Sequence, residues 1–161
     1  MIRTIPLALT LLATLSTQAQ ALSCMVPDTV RSYQRAAEAE ESYVVVNGVL
    51  DHKVGAVTLG RKDGDPPIEF EADLSGNYLN QEGFIEPFAQ RVTVVLNCVS
   101  AWCATLPPAG EEVLAYVRQT DEGDFFIDAQ PCTTNLFVTP TRDDVLRVVA
   151  CHKGERCEEA T

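Results

Sequence analysis

Six cysteines, two histidines and a surplus of carboxylates are the residues of this chain best suited to chemistry. Thiolates bind metals and exchange electrons, but the spacing here fits neither role. Cys98-x4-Cys103 and Cys151-His152-x4-Cys157 lack the tight C-x2-C knuckle of structural zinc sites. No C-x-x-C stands ahead of a helix as a thioredoxin-like redox motif would. The even set Cys24, Cys98, Cys103, Cys132, Cys151 and Cys157 reads instead as a framework of disulfides, whose pairing the sequence leaves open. Neither His52 nor His152 has a marked nucleophile to serve, since there is no G-x-S-x-G elbow. His152, between Cys151 and Lys153, reads as an exposed residue beside a disulfide. Glu69 and Glu71 share one face of an extended segment and could present paired acids in the manner of a glycosidase. A solvated strand face accounts for them as well. The acidic turns around Gly64 and Gly123 lack the ligand series of a calcium loop, and the glycines form no phosphate loop. The expectation is no catalytic residue, no metal and no cofactor. Trp102, inside Cys98-Val99-Ser100-Ala101-Trp102-Cys103, is either a binding anchor or a core residue packed on a disulfide.

Composition bounds what these residues can serve. At 161 residues and 46% apolar, the chain has the makeup of one globular domain. A net charge of −11 excludes sequence-independent binding of nucleic acid and of anionic membranes, both of which need a cationic face. Residues 1–21 carry a basic start, an apolar stretch through Leu15 and a small-residue exit, the pattern of a secretory signal peptide. That stretch is too short to anchor a mature chain, so no transmembrane segment is expected. Cleavage after Ala21 leaves residues 22–161 as a single domain beginning at Leu22; cleavage after Ser23 makes Cys24 the first residue. Lipid attachment at Cys24 ranks below both, because it leaves an odd number of thiols. The expected location is periplasmic or secreted.

The elements that must position these residues follow from patterning. Asp28 caps a helix running to Glu40, with Val30, Tyr33, Ala36 and Ala37 on its packed face. Strands are expected over 42–50, with a bulge at Gly48, then 68–74, 91–99, 113–117 and 124–128, and an extended piece over 53–60. In the 91–99 strand Val92, Val94, Leu96 and Cys98 share a side. Thr141 and Asp144 have capping-box spacing and open a last helix carrying Val145, Leu146, Val148 and Val149. The fold class is therefore mainly β with a minor α component: an antiparallel barrel, closed or partly open, flanked by an N-terminal and a C-terminal helix and stapled by disulfides.

The order of these features resembles a known family. Cys24 precedes a helix; then come Tyr43-Val44-Val45-Val46-Asn47-Gly48-Val49, a strand ending near Cys98 to Cys103, and Gly110-Glu111-Glu112-Val113-Leu114-Ala115-Tyr116. An acidic-Gly turn, Cys132 and a helix ending at Cys151 complete the series. This is similar to the netrin-like module of the tissue inhibitors of metalloproteinases, and the resemblance implies an OB-type barrel. It also implies that Cys24 pairs with the Cys98/Cys103 segment or with Cys132, and that Cys151 and Cys157 close a local loop. In that family a free N-terminal Cys chelates the protease zinc through its amino group and carbonyl, a role that would fall to Cys24. Three readings result: an exported, non-catalytic module binding a protein or small ligand, in which Cys24 and Trp102 make contact; a metalloprotease inhibitor acting through Cys24; and a hydrolase using a carboxylate pair.

Overall fold

The computed structural model describes residues 24–54, 64–99, 102–132 and 134–160. The expected signal peptide, and most of the extended piece expected over 53–60, lie outside the described residues. The described chain is mainly β, 46% strand against 17% helix. In order it runs α1 (Thr29–Glu38), β1 (Ser42–Asp51), β2 (Ile68–Asn80), β3 (Gly83–Leu96), β4 (Cys98–Val99), β5 (Trp102–Cys103), β6 (Glu111–Gln119), β7 (Phe125–Ala129), β8 (Leu136–Val138) and α2 (Arg142–His152).

The pairings of the main sheet return to their start. β1 pairs antiparallel with β2, β2 with β3, and β7 with β6, while β3 and β7 run parallel. β6 then pairs antiparallel with β1 along nine residues, from Ser42↔Gln119 to Leu50↔Glu111. β8 joins the other side of β6, and β4 with β5 forms a separate two-stranded sheet. One face of the main sheet is lined by alternate residues such as Val46, Leu50, Leu74, Val94, Val113 and Ile127, all fully buried. Each such side chain contributes about 1.5–3 kcal/mol by leaving water. The opposite face carries a second cluster, in which Val45, Leu114 and Tyr116 meet Tyr33 and Ala36 of α1 and Val148 of α2.

Several local expectations change. Gly48 does not bulge: it pairs in continuous register with Gly76 on one side and Val113 on the other. The reason for glycine is proximity, since a Cβ on Gly48 would lie 2.2 Å from the Ser75 carbonyl oxygen and one on Gly76 2.3 Å from that of Asn47. The bulge falls instead in β3, where the register shifts between Tyr78↔Glu86 and Leu79↔Phe84 and leaves Ile85 unmatched. β2 and β3 are far longer than expected, joined at Asn80, whose Oδ1 accepts from the Glu82 and Gly83 N–H groups at 2.9 and 3.0 Å. β3 ends at Leu96, so Cys98 does not continue its buried side but starts the small sheet.

The helices keep their predicted caps. Asp28 accepts from the Arg31 N–H at 2.9 Å, and Thr141 with Asp144 forms a full capping box. Their faces differ in detail: α1 stops at Glu38 and leaves Ala37 exposed while burying Thr29 and Ser32. Leu146 of α2 also points to solvent. Among the described residues no helix is long and apolar enough to cross a membrane.

Candidate functional site

All six cysteines are bonded, as Cys24–Cys132, Cys98–Cys103 and Cys151–Cys157. Of the two partners the resemblance left to Cys24, Cys132 takes the bond. The link spans 108 residues and ties the segment ahead of α1 to the β7–β8 connection. Cys24 itself is exposed, and Met25 and Val26 beside it are 66% and 81% exposed. Arg31 holds this segment by donating from its guanidinium to the Val26 carbonyl at 3.1 Å.

Trp102 is the clearest departure from core packing. It is 58% exposed and faces Val99, 43% exposed, across the β4–β5 pair. The neighbouring cross-strand pair is Cys98↔Cys103, which is disulfide-bonded. Successive residues of a strand point to opposite sides. The bond therefore lies on one side of the small sheet and the apolar pair on the other. Ala104 anchors the base, its N–H donating to the Asn97 carbonyl at 2.8 Å, and Ala104 and Leu106 pack on the sheet's core. The disulfide and the Ala104 hydrogen bond restrain the backbone beneath the exposed Trp102, so little backbone entropy is left to lose on contact.

Two grooves flank the β7–β8 connection. One, of about 60 Å³, is bounded by Thr105, Gln130, Pro131, Thr134 and Val138. The other, of about 220 Å³, is bounded by Met25, Val26, Asp28, Cys132 and Thr134 among others. They share Thr134, so the segment after the hairpin and the Cys24 segment border the same connection. Val99, Met25, Val26 and Val138 went unmarked in the sequence because nothing separates an exposed valine from a core one in isolation. Val99 had one readable signal, its position three residues before Trp102 and inside the cysteine pair.

The remaining candidates are placed elsewhere. Glu69 and Glu71 lie exposed on the outer side of β2, where Glu71 accepts from the Thr93 hydroxyl at 3.1 Å. His52 Nε2 lies 2.9 Å from the Pro107 carbonyl; a carbonyl only accepts, so that nitrogen carries the proton. His52 also packs edge-on to Phe70. His152 is half-buried rather than exposed, its Nδ1 3.1 Å from the Tyr33 hydroxyl, whose pKa burial raises. Among the described residues no group of three or more His, Cys, Asp or Glu is placed to hold a metal ion.

Beneath the Cys24 segment lies a polar junction that fixes its direction. Asp28, 6% exposed, accepts from the Arg31 N–H, from the Arg147 guanidinium at 3.1 Å and from the Ala160 N–H at 2.8 Å. Burial opposes its charge, but these donors outweigh that penalty and hold the carboxyl below the usual aspartate range. Arg147 also reaches Asp144 at 2.8 Å, and Arg31 pairs with Glu159. The buried Tyr116 hydroxyl donates to the Thr29 carbonyl at 2.5 Å, and burial together with the Asp28 charge raises its pKa far above the ordinary tyrosine value. No protein-family model, curated protein or solved structure matches this chain.

Proposed function

We propose that this protein is an exported, non-catalytic binding module built on an OB-type barrel, with Trp102 and Val99 as its contact pair. The observation that carries the reading is Trp102, 58% exposed on a two-stranded sheet whose other pair is a disulfide. A large aromatic left in water costs free energy in the isolated molecule, and a partner's surface recovers it. Export is supported by the leader-like residues 1–21 and by three disulfides, which suit an oxidising compartment. The barrel reading is supported by the circuit β1-β2-β3-β7-β6 and back to β1, with its one parallel pair. With a net charge of −11, a cationic rim on the partner would be drawn in. The test is affinity capture from the exported fraction with wild type, Trp102→Phe and Trp102→Ala. A partner held by wild type and Trp102→Phe, and weakened roughly tenfold or more by Trp102→Ala, supports the reading. Equal capture by all three removes Trp102 from it.

A second reading, metalloprotease inhibition through Cys24, has one observation in its favour: Cys24 is exposed and fixed by Cys132. Chelation requires its amino group to be free. The intact mass of the exported protein decides, because a start at Leu22 leaves that group inside a peptide bond. A start at Cys24 with inhibition of a zinc protease, lost when one Ala is added ahead, supports the inhibitor.

A further inference from the structure

We propose that Cys98–Cys103 is a thiol–disulfide exchange site for an external dithiol, the bond that opens first and without loss of the fold. The three disulfides differ in what their opening releases. Cys24–Cys132 closes a span of 108 residues, so breaking it frees the segment ahead of α1 from the β7–β8 connection. The entropy a disulfide withholds from the unfolded chain grows with the loop it closes, so this bond is the one the folded state most depends on. Cys151–Cys157 closes a short loop, but Cys151 is 8% exposed in the last turn of α2, and the tail beyond Cys157 is tied back through Glu159 to Arg31 and through Ala160 to Asp28. Its thiols would separate little on reduction and re-form the bond at once.

Cys98–Cys103 has neither the long span nor the tied-back tail; what holds its two strands is their own short ladder and the Ala104 N–H on the Asn97 carbonyl at its base. Both cysteines are half-buried, neither being as closed in as Cys151; their sequence separation is five, and they lie in a two-stranded sheet that is not part of the main one. Val99 and Trp102, the pair between the cysteines, are exposed on the opposite side of the small sheet and do not cover the bond. In the exchange a thiolate of the dithiol attacks one sulfur, the Cys98–Cys103 bond breaks, and the other cysteine leaves as a thiolate. The second thiol of the dithiol then attacks the mixed disulfide and releases the remaining cysteine. Two electrons and two protons pass from the dithiol, which ends as its own disulfide, to the pair. The consequence is local: the clamp on Trp102 opens while the main sheet stays paired.

The experiment is equilibration of the intact exported protein with graded ratios of reduced to oxidised dithiothreitol, acid quench, alkylation and peptide mass mapping. Trp102 is the only tryptophan, so its fluorescence follows the same sheet in parallel. The expected result is that the first two alkylated thiols are Cys98 and Cys103, at a lower ratio than opens either other bond and about tenfold or more below that which opens Cys24–Cys132. The far-UV circular dichroism is unchanged at that point, and the Trp102 signal changes with the first step. The Cys98→Ser/Cys103→Ser variant gives no Trp102 response over that range. If Cys24–Cys132 or Cys151–Cys157 opens first, or the strand signal is lost together with the first bond, the proposal is overturned. The map reads the sulfurs directly, so failure to find a partner at Trp102 leaves its outcome intact.

Discussion

Asp28 joins three parts of the chain through one carboxylate: the first turn of α1, Arg147 of α2 and the segment at Ala160. Asp28→Asn keeps a good capping oxygen but loses the charge facing Arg147, whereas Asp28→Ala loses both. We expect Asp28→Ala to cost roughly 3 kcal/mol and Asp28→Asn roughly half of that in urea denaturation. The same carboxylate sets a pH dependence. Its folded-state pKa lies below the ordinary 3.8, so its contribution is complete above that value and drains away as pH falls through the folded one. Urea midpoints taken between pH 6 and pH 2 should therefore fall more steeply for wild type than for Asp28→Asn in the acid part of that range. Thr139 poses the opposite case, a β-branched residue at φ 49, exposed at the end of β8. Its N–H is used, donating to the Glu112 carbonyl at 2.8 Å, and its side chain has no part in that bond. Thr139→Gly should raise stability by up to about 1 kcal/mol, and a lower melting temperature would assign the side chain a role the backbone geometry does not suggest.

At the scale of elements, the crossing of β1 over β2 is the least tolerant place in the sheet. A methyl group at Gly48 or Gly76 meets backbone atoms at 2.2–2.3 Å, which no rotamer change relieves. Gly48→Ala should cost more than about 3 kcal/mol or abolish folding, while Ile85→Ser, at the exposed bulge, should stay within about 0.5 kcal/mol. Thermal melts of the two side by side check both. This crossing also marks where sequence reasoning stops. Alternating apolar residues placed the first half of β2 and the last half of β3, because burial on one face writes itself as a period of two. β-branched and aromatic runs placed β1 and β6, the latter buried at five successive residues, and the Asp121-Glu122-Gly123 turn placed β7. Residues 75–90 carried the opposite signal. Ser75-Gly76-Asn77 and Pro87 look like turn chemistry, yet Gly76 is dictated by a neighbouring backbone. Pro87 is tolerated because the β3–β7 pairing begins only at Thr93. β8 is three residues long and owes its place to β6, a tertiary cause that leaves no local period. The candidate site was half legible. A Trp inside a five-residue cysteine pair could be singled out, but its exposure depends on β3 ending at Leu96, which the apolar run through Val99 concealed.

For the molecule as a whole, the disulfides should rank by the span they close. Replacing Cys24 and Cys132 by Ser should cost roughly 5 kcal/mol, and replacing Cys98 and Cys103 roughly 2 kcal/mol, from chain entropy alone. Melting temperatures of the two double variants, which differ by many degrees if the ranking holds, check this. Comparable losses would mean that the small sheet is a stabilising element rather than a display. The circuit of strand pairings has a further consequence, in time rather than space. A chain that emerges N-terminus first finds a partner for one side of β1 as soon as the β2 segment appears, yet its other side waits for Glu111–Gln119. Until then its unpaired backbone N–H and carbonyl groups are open to a wrong strand, from this chain or another. Cys24 waits longer still, for residue 132. The long disulfide can form natively only after the last strand that closes the circuit has been made, so its appearance is a clock for the closed circuit, with only β8 of the main sheet still to follow.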